Sequence, residues 1–508
     1  MTNITISHFF MPYFCKKLQK MSKSIYITTI EANSGKSLIS LGILRMMLNQ
    51  SSKVGYFRPI INKGENNEFD NHTNTAINYF NLDIDYKDCF VYEQNEVVEL
   101  ISEGKTDEVI HNIIKKYKNL ESIYDYVLIE GTDFSGDGGF TEVDVNLMIA
   151  KNLGVPVLIV GAGNGKKKKD FINTMQITYN SFVQKEVDVI GVIANKTEVD
   201  EIDYIREQLH KSIPKSVQID VIPKVNYLAF PTVKEVVEAL QGEILFGEQF
   251  LNNSIGSYST GAMQLRNYIT RIKKNALVIT PGDRADIILG ALQANASSNY
   301  PKIAGIILTG GLIPEDSILK LIEGVQSTIP IISVKGGTFG VSNQIGSVKP
   351  KIYASNTKKI VLALDTFDKH VNEKGLTSIL SNFNSDKLTP SMFQYNLLQK
   401  ARASRKHIVL PEGNDPRIIE AAARLQLLDI VDLTLLGNKK EIQLKCNQIG
   451  LQINLDKINI LNPEDSIHNN NFAKTLFEAR KHKGLTETTA QDLTRDVSYY
   501  GTLMILNG

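Results

Sequence analysis

One short segment near the start constrains the fold more than any other, because an apolar run is followed by a loop that ends with Gly35, Lys36 and Ser37. Residues 24–29 are apolar and β-branched, as in a buried strand, and residues 38–48 have the pattern of a helix. In a strand–loop–helix unit of this kind, backbone N–H groups face an anion, the lysine reaches the outer phosphates and the serine hydroxyl can ligate Mg²⁺. The segment therefore predicts a phosphate-binding loop in a parallel α/β sheet.

The loop departs from the usual pattern G-x-x-x-x-G-K-[ST] at its first position, where Ile30 stands in place of glycine. A β-branched residue resists the positive φ that glycine tolerates. Two interpretations stay open. In one, the loop binds a nucleotide although the backbone conformation at its first position is altered. In the other, the loop is retained for structure alone and Lys36 is a surface lysine.

Further strands extend this sheet in the prediction. Because open α/β sheets bind ligands at the carboxyl ends of their strands, Glu130, near the end of one of them, becomes a candidate for the same site. A lysine run at 166–169 could also attract phosphate, although such runs are more often solvated. The strands are predicted at 54–60, 126–132, 155–161 and 187–196.

Composition excludes several classes of function. The 508 residues carry 56 Lys and Arg against 55 Asp and Glu, so there is no overall basic charge for binding nucleic acid. No apolar run approaches the roughly 20 residues that cross a bilayer. The three cysteines are far apart and the eight histidines stand singly, which argues against disulfides and a structural metal. We therefore expect a cytoplasmic protein without nucleic-acid or membrane partners.

The N-terminal 22 residues are interpreted as an extension before the first domain. Their lysines follow the apolar stretch, which is the reverse of the order in a secretory signal. Translation from Met21 is favoured over translation from Met1, because structured sequence begins directly afterwards.

The middle of the chain predicts a second α/β region. A helix is expected at 233–240, followed by two strand-and-turn units that lead to Asp283-Arg284 and to Thr309-Gly310-Gly311. Arg284 could bind an anion, but pairing with the nearby Asp286 is an equal alternative. Residues 360–364 are expected to form a further short strand, and a polar stretch ending at Pro390 marks the last boundary.

The last segment predicts a β-α-β unit. A strand is expected at 407–410, a helix at 417–427 and a second strand at 430–436, which implies a parallel pair with a right-handed crossover. An amphipathic helix is expected before it at 392–403, with Phe393, Leu397 and Leu398 on one stripe.

These segments, in this order, resemble the long form of the phosphate acetyltransferases. The clearest points are the stretch from His407 to Arg417, the stretch from Glu478 to Gly484, and the split Asp-Arg…Thr-Gly-Gly signature. The resemblance implies an α/β fold throughout, in three parts after the extension at 1–22. These are a dethiobiotin synthetase-like P-loop parallel sheet with flanking helices at 23–225, a middle α/β regulatory DRTGG-like domain at 226–385, and an incomplete α/β transferase domain at 386–508.

The resemblance also implies an activity, the reversible conversion of acetyl-CoA and phosphate into acetyl phosphate and coenzyme A. By this resemblance Arg480 matches an arginine at the coenzyme A site, and Arg417 matches one near the active cleft. Glu130 would hold the Mg²⁺ of a nucleotide bound at Gly35, Lys36 and Ser37, and Asn195 would face the base. The middle domain would either sense an effector, through Asp283 and Arg284, or pack subunits together, and a homo-oligomer is expected.

In the family it resembles, the catalytic domain continues beyond the point that Gly508 matches. No catalytic residue is therefore assigned here, and we expect the chain alone to be inactive and to need a fragment encoded downstream. Two alternatives remain. One is an ATP-dependent ligase of the dethiobiotin synthetase kind that uses Lys36, Ser37 and Glu130, and the other is an ATP-binding regulatory or scaffold protein without transferase activity.

Overall fold

The computed structural model describes residues 23–63, 69–132, 142–325, 329–383 and 389–507. The chain divides into two compact units, one up to Thr389 and one from Pro390 onward, near the predicted start of the last domain at 386. The choice between Met1 and Met21 falls outside the described residues. Among the helices of these ranges, none combines the length and the apolar character needed to span a bilayer.

The first unit begins with a six-stranded parallel sheet in the order β2-β5-β1-β6-β7-β8, beside a small two-stranded sheet of β3 and β4. Its elements are β1 (Lys23–Thr29), α1 (Lys36–Leu48), β2 (Val54–Phe57), β3 (Ile60–Ile61), α2 (Asn71–Phe80), β4 (Tyr92–Glu93), α3 (Gln94–Ser102), α4 (Thr106–Ile123), β5 (Tyr126–Glu130), α5 (Glu142–Leu153), β6 (Val157–Ala162), α6 (Lys168–Gln184), β7 (Val189–Thr197), α7 (Ile202–Ser212) and β8 (Gln218–Pro223). This confirms the predicted parallel sheet with flanking helices.

Helices cover both faces of this sheet, which explains why its strands are apolar at successive positions. One face packs on α1 through Ile25, Ile27 and Leu128. Other helices also pack on the strands: α4 contacts β5, α5 contacts β1 and α6 contacts β6. The loop between β1 and α1 and the ends of β5 and β7 therefore meet at the carboxyl edge of the sheet.

The middle region forms a second sheet in the order β10-β11-β12-β13-β9, parallel except for β9, which runs antiparallel to β13. Its elements are α8 (Val233–Leu240), β9 (Glu243–Phe246), β10 (Ser257–Thr260), α9 (Leu265–Tyr268), β11 (Ala276–Pro281), α10 (Ala285–Ala296), β12 (Gly305–Thr309), α11 (Asp316–Gly324), β13 (Ile331–Ser333) and α12 (Thr338–Gly346). Alternate side chains point to opposite faces, so Val278 packs with α10 while Leu277 and Ile279 pack with α8 and α12.

Two helices that follow the middle sheet pack on the first domain instead. These are α13 (Thr357–His370) and α14 (Glu373–Asn382). Ile360, Leu364 and Phe367 of α13 are buried in the same cluster as α1, and a Cβ added to Gly42 would lie 2.2 Å from the Phe367 ring. The predicted strand at 360–364 is therefore wrong, since these residues form part of α13. The middle domain predicted at 226–385 includes two helices that complete the core of its neighbour.

The second unit contains a three-stranded parallel sheet in the order β14-β15-β16. Its elements are α15 (Pro390–Ala403), β14 (Lys406–Leu410), α16 (Pro416–Leu428), β15 (Val431–Leu436), α17 (Lys439–Gln448), β16 (Asn459–Leu461), α18 (Asn469–Arg480), α19 (Glu487–Leu493) and α20 (Val497–Asn507). The predicted β-α-β unit is confirmed. The predicted stripe on the first helix is right for Leu398, which is buried with Met392 and Tyr395, and wrong for Phe393 and Leu397, which are exposed.

Candidate functional site

The phosphate-binding loop connects β1 to α1, and its shape depends on a glycine at the start of the helix. Gly35 has φ 84°, a left-handed conformation that side chains disfavour. A Cβ added there would also lie 2.3 Å from Asn195 Nδ2. Glycine at this position therefore allows the loop to approach β7 closely and to begin α1 with its N–H groups facing outward.

The loop begins as an extension of β1. The Ile30 N–H donates to the Val160 carbonyl at 3.0 Å, so the backbone continues its pairing with β6. The Ile30 side chain lies over Gly161, where an added Cβ would come within 2.6 Å of it. The positive φ values within the loop are at Asn33 and Gly35. Ile30 thus costs no strain of this kind, because it is not among the residues with positive φ.

Two side chains at the end of β7 hold the loop in place. Asn195 Nδ2 donates to the Ser34 carbonyl at 2.9 Å, and Lys196 Nζ donates to the Asn33 carbonyl at 2.6 Å. Asn195 Oδ1 accepts from the Lys196 N–H at 2.8 Å. The structure therefore places Asn195 against the loop backbone, with both ends of its amide engaged.

Lys36 is buried, so the interpretation of it as a surface lysine is wrong. Only 3% of the residue is exposed, and its Nζ donates to the Gly131 carbonyl at 2.5 Å. The same Nζ lies 3.9 Å from Glu130 Oε1. The loop and the end of β5, which were predicted to share a site, do come together.

Glu130 is the centre of a buried polar cluster. Its Oε1 accepts from Arg58 Nη1 at 2.5 Å and lies 2.7 Å from His72 Nδ1, while its Oε2 accepts from the Tyr56 hydroxyl at 3.0 Å. Arg58 Nε also lies 3.7 Å from Asp70 Oδ2. Glu130 and Arg58 are 1% and 2% exposed, so both charges are withdrawn from water and depend on each other.

These neighbours fix the charge of Glu130. Burial acts to raise the pKa of Glu130, but the nearby His72, Arg58 and Lys36 outweigh it and hold the pKa well below its usual range. Burial raises the pKa of Tyr56 well above its usual range, and the Glu130 charge raises it further. The cluster therefore holds an ionised carboxylate hydrogen-bonded to a neutral phenol.

A Mg²⁺ ion does not fit this arrangement. A loop of this type would supply the Ser37 hydroxyl and the Glu130 carboxylate as ligands. Both oxygens of Glu130 already accept hydrogen bonds, and Ser37 Oγ lies 3.4 Å from His72 Nδ1. Across the described ranges, no group of three or more His, Cys, Asp or Glu side chains is arranged to hold a metal.

The cluster includes residues that the sequence did not identify. Arg58 was visible as a cation at the end of a strand, which is the position where such sheets bind ligands. His72 gave no signal, because it lies on α2, two residues after the Asp70 side chain that caps this helix. Only the fold brings it to Glu130.

The lysine run at 166–169 is partly neutralised. Lys166 pairs with Glu31 of the phosphate-binding loop, and Lys168 Nζ lies 3.4 Å from Glu201 Oε1. The structure thus gives Lys166 a role in holding the loop to the turn after β6.

In the middle region, the structure favours the local interpretation of Arg284. Its guanidinium binds Asp286 through two hydrogen bonds of 2.8 and 2.9 Å and donates to the Met263 carbonyl at 3.0 Å. The hydrogen bond from Arg284 lowers the pKa of Asp286. Asp283 is exposed beside it. The pairing with Asp286 accounts for Arg284 without an effector.

In the second unit, Arg417 is exposed and bound to its neighbour. Asp415 caps α16 by accepting from the Arg417 N–H at 2.8 Å, and the same carboxylate receives two hydrogen bonds from the Arg417 guanidinium. These contacts lower the pKa of Asp415 to about 2. The cap therefore offsets the unfavourable position of a cation on the first turn of a helix.

Arg480, by contrast, has no partner among the described residues. It is the last residue of α18, its side chain is exposed, and Lys481, His482 and Lys483 follow it. Gly484 then ends the turn with φ 83°. This end of α18 presents a group of cations to solvent, of which Arg480 is available for a phosphate group.

Three family models match the chain in succession. The model described as an AAA domain matches residues 23–231, the DRTGG domain matches 235–348, and the phosphate acetyl/butaryl transferase matches 392–508. Together they cover the phosphate-binding loop, the middle sheet and the second unit.

Curated relatives are similar to almost the whole chain. The phosphate acetyltransferases of Nitratidesulfovibrio vulgaris and of a Synechocystis strain are each 37% identical, over 495 and 489 residues. Each alignment covers 96% of this chain and 70% of the relative. Among solved structures, the EutD phosphotransacetylase from Staphylococcus aureus matches 22% of this chain at 34% identity, with a TM-score of 0.21, and the match covers 34% of that protein.

Proposed function

The chain belongs to the phosphate acetyltransferase family, and we propose that it takes part in the reversible transfer of an acetyl group between coenzyme A and inorganic phosphate. The observation that carries this proposal is the 37% identity to phosphate acetyltransferases along 96% of the chain. The match of residues 392–508 to the phosphate acetyl/butaryl transferase model supports the same reaction. Acetyl-CoA, phosphate and acetyl phosphate are then its substrates and products.

In this reaction the thiolate of coenzyme A attacks the carbonyl carbon of acetyl phosphate. A C–S bond forms, the C–O bond to phosphate breaks, and the thiol proton passes to a base. Coenzyme A is an anion, and guanidinium groups bind phosphate oxygens with paired hydrogen bonds. Arg480 is the residue of this chain best suited to that role, because its side chain is exposed and unpaired within the described residues.

Arg417 has a different role in the proposal. Asp415 already holds its guanidinium in a fixed position at the carboxyl end of β14. A ligand at this edge would meet an arginine whose conformation is set before binding, which lowers the entropy cost of the contact. We place Arg417 beside the reacting phosphate and Arg480 at the coenzyme.

The test measures acetyl-CoA formation from acetyl phosphate and coenzyme A. It uses the purified 508-residue chain alone and the same chain mixed with the polypeptide encoded immediately downstream. Activity in either preparation supports the proposal, and the difference between them tests the expectation that the chain alone is inactive. The absence of acetyl-CoA formation in both preparations would contradict the proposal.

Arg480 is tested in whichever preparation is active. Arg480→Gln removes a charge-assisted contact of about 1.5–3 kcal/mol, which should raise KM for coenzyme A roughly 10- to 100-fold and leave KM for acetyl phosphate unchanged. Lys481→Gln is the matched control, because Lys481 is an adjacent exposed cation that pairs with Glu478. Equal effects of the two substitutions would contradict the assignment.

For the first domain we propose nucleotide binding at Gly35, Lys36 and Ser37, in a regulatory role. The support is the match to the AAA domain model and the outward-facing start of α1 behind the left-handed Gly35. Calorimetric titration with ATP tests it. Lys36→Gln should abolish the heat of binding, whereas Lys167→Gln, at an exposed lysine outside the loop, should not.

A further inference from the structure

The buried carboxylate at the end of β5 has a protein cation where a phosphate-binding loop would ordinarily have a metal. Arg58 Nη1 donates to Glu130 Oε1 at 2.5 Å, and Lys36 Nζ lies 3.9 Å from the same oxygen. His72 Nδ1 lies 2.7 Å from it on a third side. One carboxylate is thus shared by three nitrogen groups that come from a loop, a strand end and a helix.

The remaining oxygen of Glu130 is also engaged. Oε2 accepts from the Tyr56 hydroxyl at 3.0 Å, and Tyr56 is fully buried. A metal ligand must offer a lone pair towards the ion, but the donors around Glu130 are directed at both of its oxygens. Mg²⁺ would therefore have to displace one of the three nitrogen groups at Oε1 or share Oε2 with the Tyr56 hydroxyl.

The size of the pocket beside the cluster also argues against a bound Mg²⁺. Ser37, His72 and Glu130 line a partly open pocket of about 10 Å³, together with residues such as Leu41 and Ile352. That volume is about the room of one water molecule. Mg²⁺ keeps several of its waters when it binds to one or two carboxylates, so a hydrated ion does not fit.

Displacing Arg58 would also be costly. Its side chain is 2% exposed and is held between Glu130 and Asp70. A guanidinium that loses its carboxylate in such a place remains a buried charge without adequate compensation. The ion pair is therefore the stable arrangement, and a metal would compete with it at a disadvantage.

We propose that Arg58 replaces the divalent cation as the counter-charge of Glu130, so that the phosphate-binding loop takes its polyphosphate ligand without Mg²⁺. This inference rests on the proposed nucleotide binding of the first domain. The ligand is a free nucleoside polyphosphate or another polyphosphate anion. Its charge is met by the N–H groups at the start of α1, and Arg58 stays with Glu130.

The deciding experiment is calorimetric titration of the 508-residue chain with ATP, once in excess Mg²⁺ and once in excess EDTA. The two dissociation constants should agree within about threefold, a difference of well under 1 kcal/mol. Binding that requires Mg²⁺, with a loss of about tenfold or more in EDTA, overturns the inference and leaves nucleotide binding intact. If ATP binds in neither condition, both the inference and the proposed nucleotide binding are refuted.

Variants at Arg58 provide a second readout. Arg58→Gln removes the charge and releases Glu130, so its ATP affinity should become dependent on Mg²⁺, and the ratio of the two dissociation constants should rise. Arg58→Lys keeps the charge and should keep the ratio near one. Thermal unfolding identifies any variant that does not fold, and the wild-type ratio decides the question in that case. An unchanged ratio in a folded Arg58→Gln chain would contradict the proposed role of Arg58.

Discussion

The contact between Gly42 of α1 and Phe367 of α13 allows the assignment of α13 to the first domain to be tested in solution. Phe367 is fully buried, and a Cβ added to Gly42 would lie 2.2 Å from its Cγ and 2.3 Å from its Cδ2. The two residues are far apart in sequence, so any coupling between them requires α13 to pack on α1.

The magnitudes follow from two opposed effects. Gly→Ala in a helix interior gains about 1 kcal/mol in propensity, whereas forcing a methyl group against a packed ring costs about 1–3 kcal/mol. Gly42→Ala should therefore be neutral or destabilising by up to about 2 kcal/mol in the wild-type chain. Phe367→Ala alone should cost about 3–5 kcal/mol, because it removes a buried ring and leaves a cavity.

The double variant separates the two effects. With Phe367→Ala in place the clash is absent, so Gly42→Ala should stabilise by about 1 kcal/mol, and the coupling energy should be about 1–3 kcal/mol. The assay is hydrogen exchange of α1 peptides, which reports the local opening free energy in a chain of several domains.

Phe339→Ala serves as the control for a lost phenyl ring, because Phe339 is 80% exposed and should leave the exchange of α1 unchanged. An identical effect of Gly42→Ala in both backgrounds would refute the packing of α13 on α1. The two helices would then belong to separate domains, as the sequence suggested.

Three further predictions concern ionisable groups that are buried or that cap a helix. Asp415 has its pKa lowered to about 2, so the stability that it gives to the start of α16 is present above about pH 4 and is lost as the pH falls through about 2. Amide exchange at Arg417 should follow this profile, and Asp415→Asn should abolish it. Glu235→Gln leaves the fully buried Lys359 without its carboxylate and should cost about 3–5 kcal/mol in chemical denaturation, whereas Glu238→Gln at an exposed position should cost far less. Burial raises the pKa of the Cys89 thiol to about 12, so an aromatic disulfide reagent should leave it unmodified in the native chain and modify it after denaturation.

Local patterns were enough to predict the sheet of the first domain. β1 and β5 are uninterrupted apolar strands because both faces of a parallel sheet are covered, and such runs are recognisable without knowledge of the fold. The prediction that Lys36 and Glu130 share one edge needed only the rule that parallel strands end together. Both inferences depend on features within a few residues of each position.

The errors came from apolar segments whose partners are distant. Residues 360–364 are apolar at successive positions, which short strands and buried helices have in common. In the structure Ile360, Leu364 and Phe367 are buried at helical spacing while Val361 is 45% exposed. The helix is favoured because its apolar stripe packs against α1. That helix lies more than three hundred residues earlier in the sequence.

The site was incompletely predicted for the same reason. Glu130 was identified as a carboxylate at a strand end, and the family resemblance implied that it is a metal ligand. Its charge is instead balanced by Arg58 and His72, and no spacing in the sequence connects these three residues. Whether a carboxylate binds a metal or an arginine is decided by which side chains the fold brings within hydrogen-bonding distance.

The segment from Lys351 to Lys359 contacts the buried Glu235 and also the helix that carries His72. The Lys351 N–H donates to Glu235, and Lys359 Nζ lies 3.8 Å from the same side chain. Between them, the Ile352 carbonyl accepts hydrogen bonds from Asn71 and Thr75 of α2, and Ile352 lines the cavity beside Glu130. Because burying a charge is tolerated only when its partners are fixed, this segment is held rigidly at both ends. The return of the chain from the middle sheet to α13 therefore connects the start of α8 to the helix that carries His72.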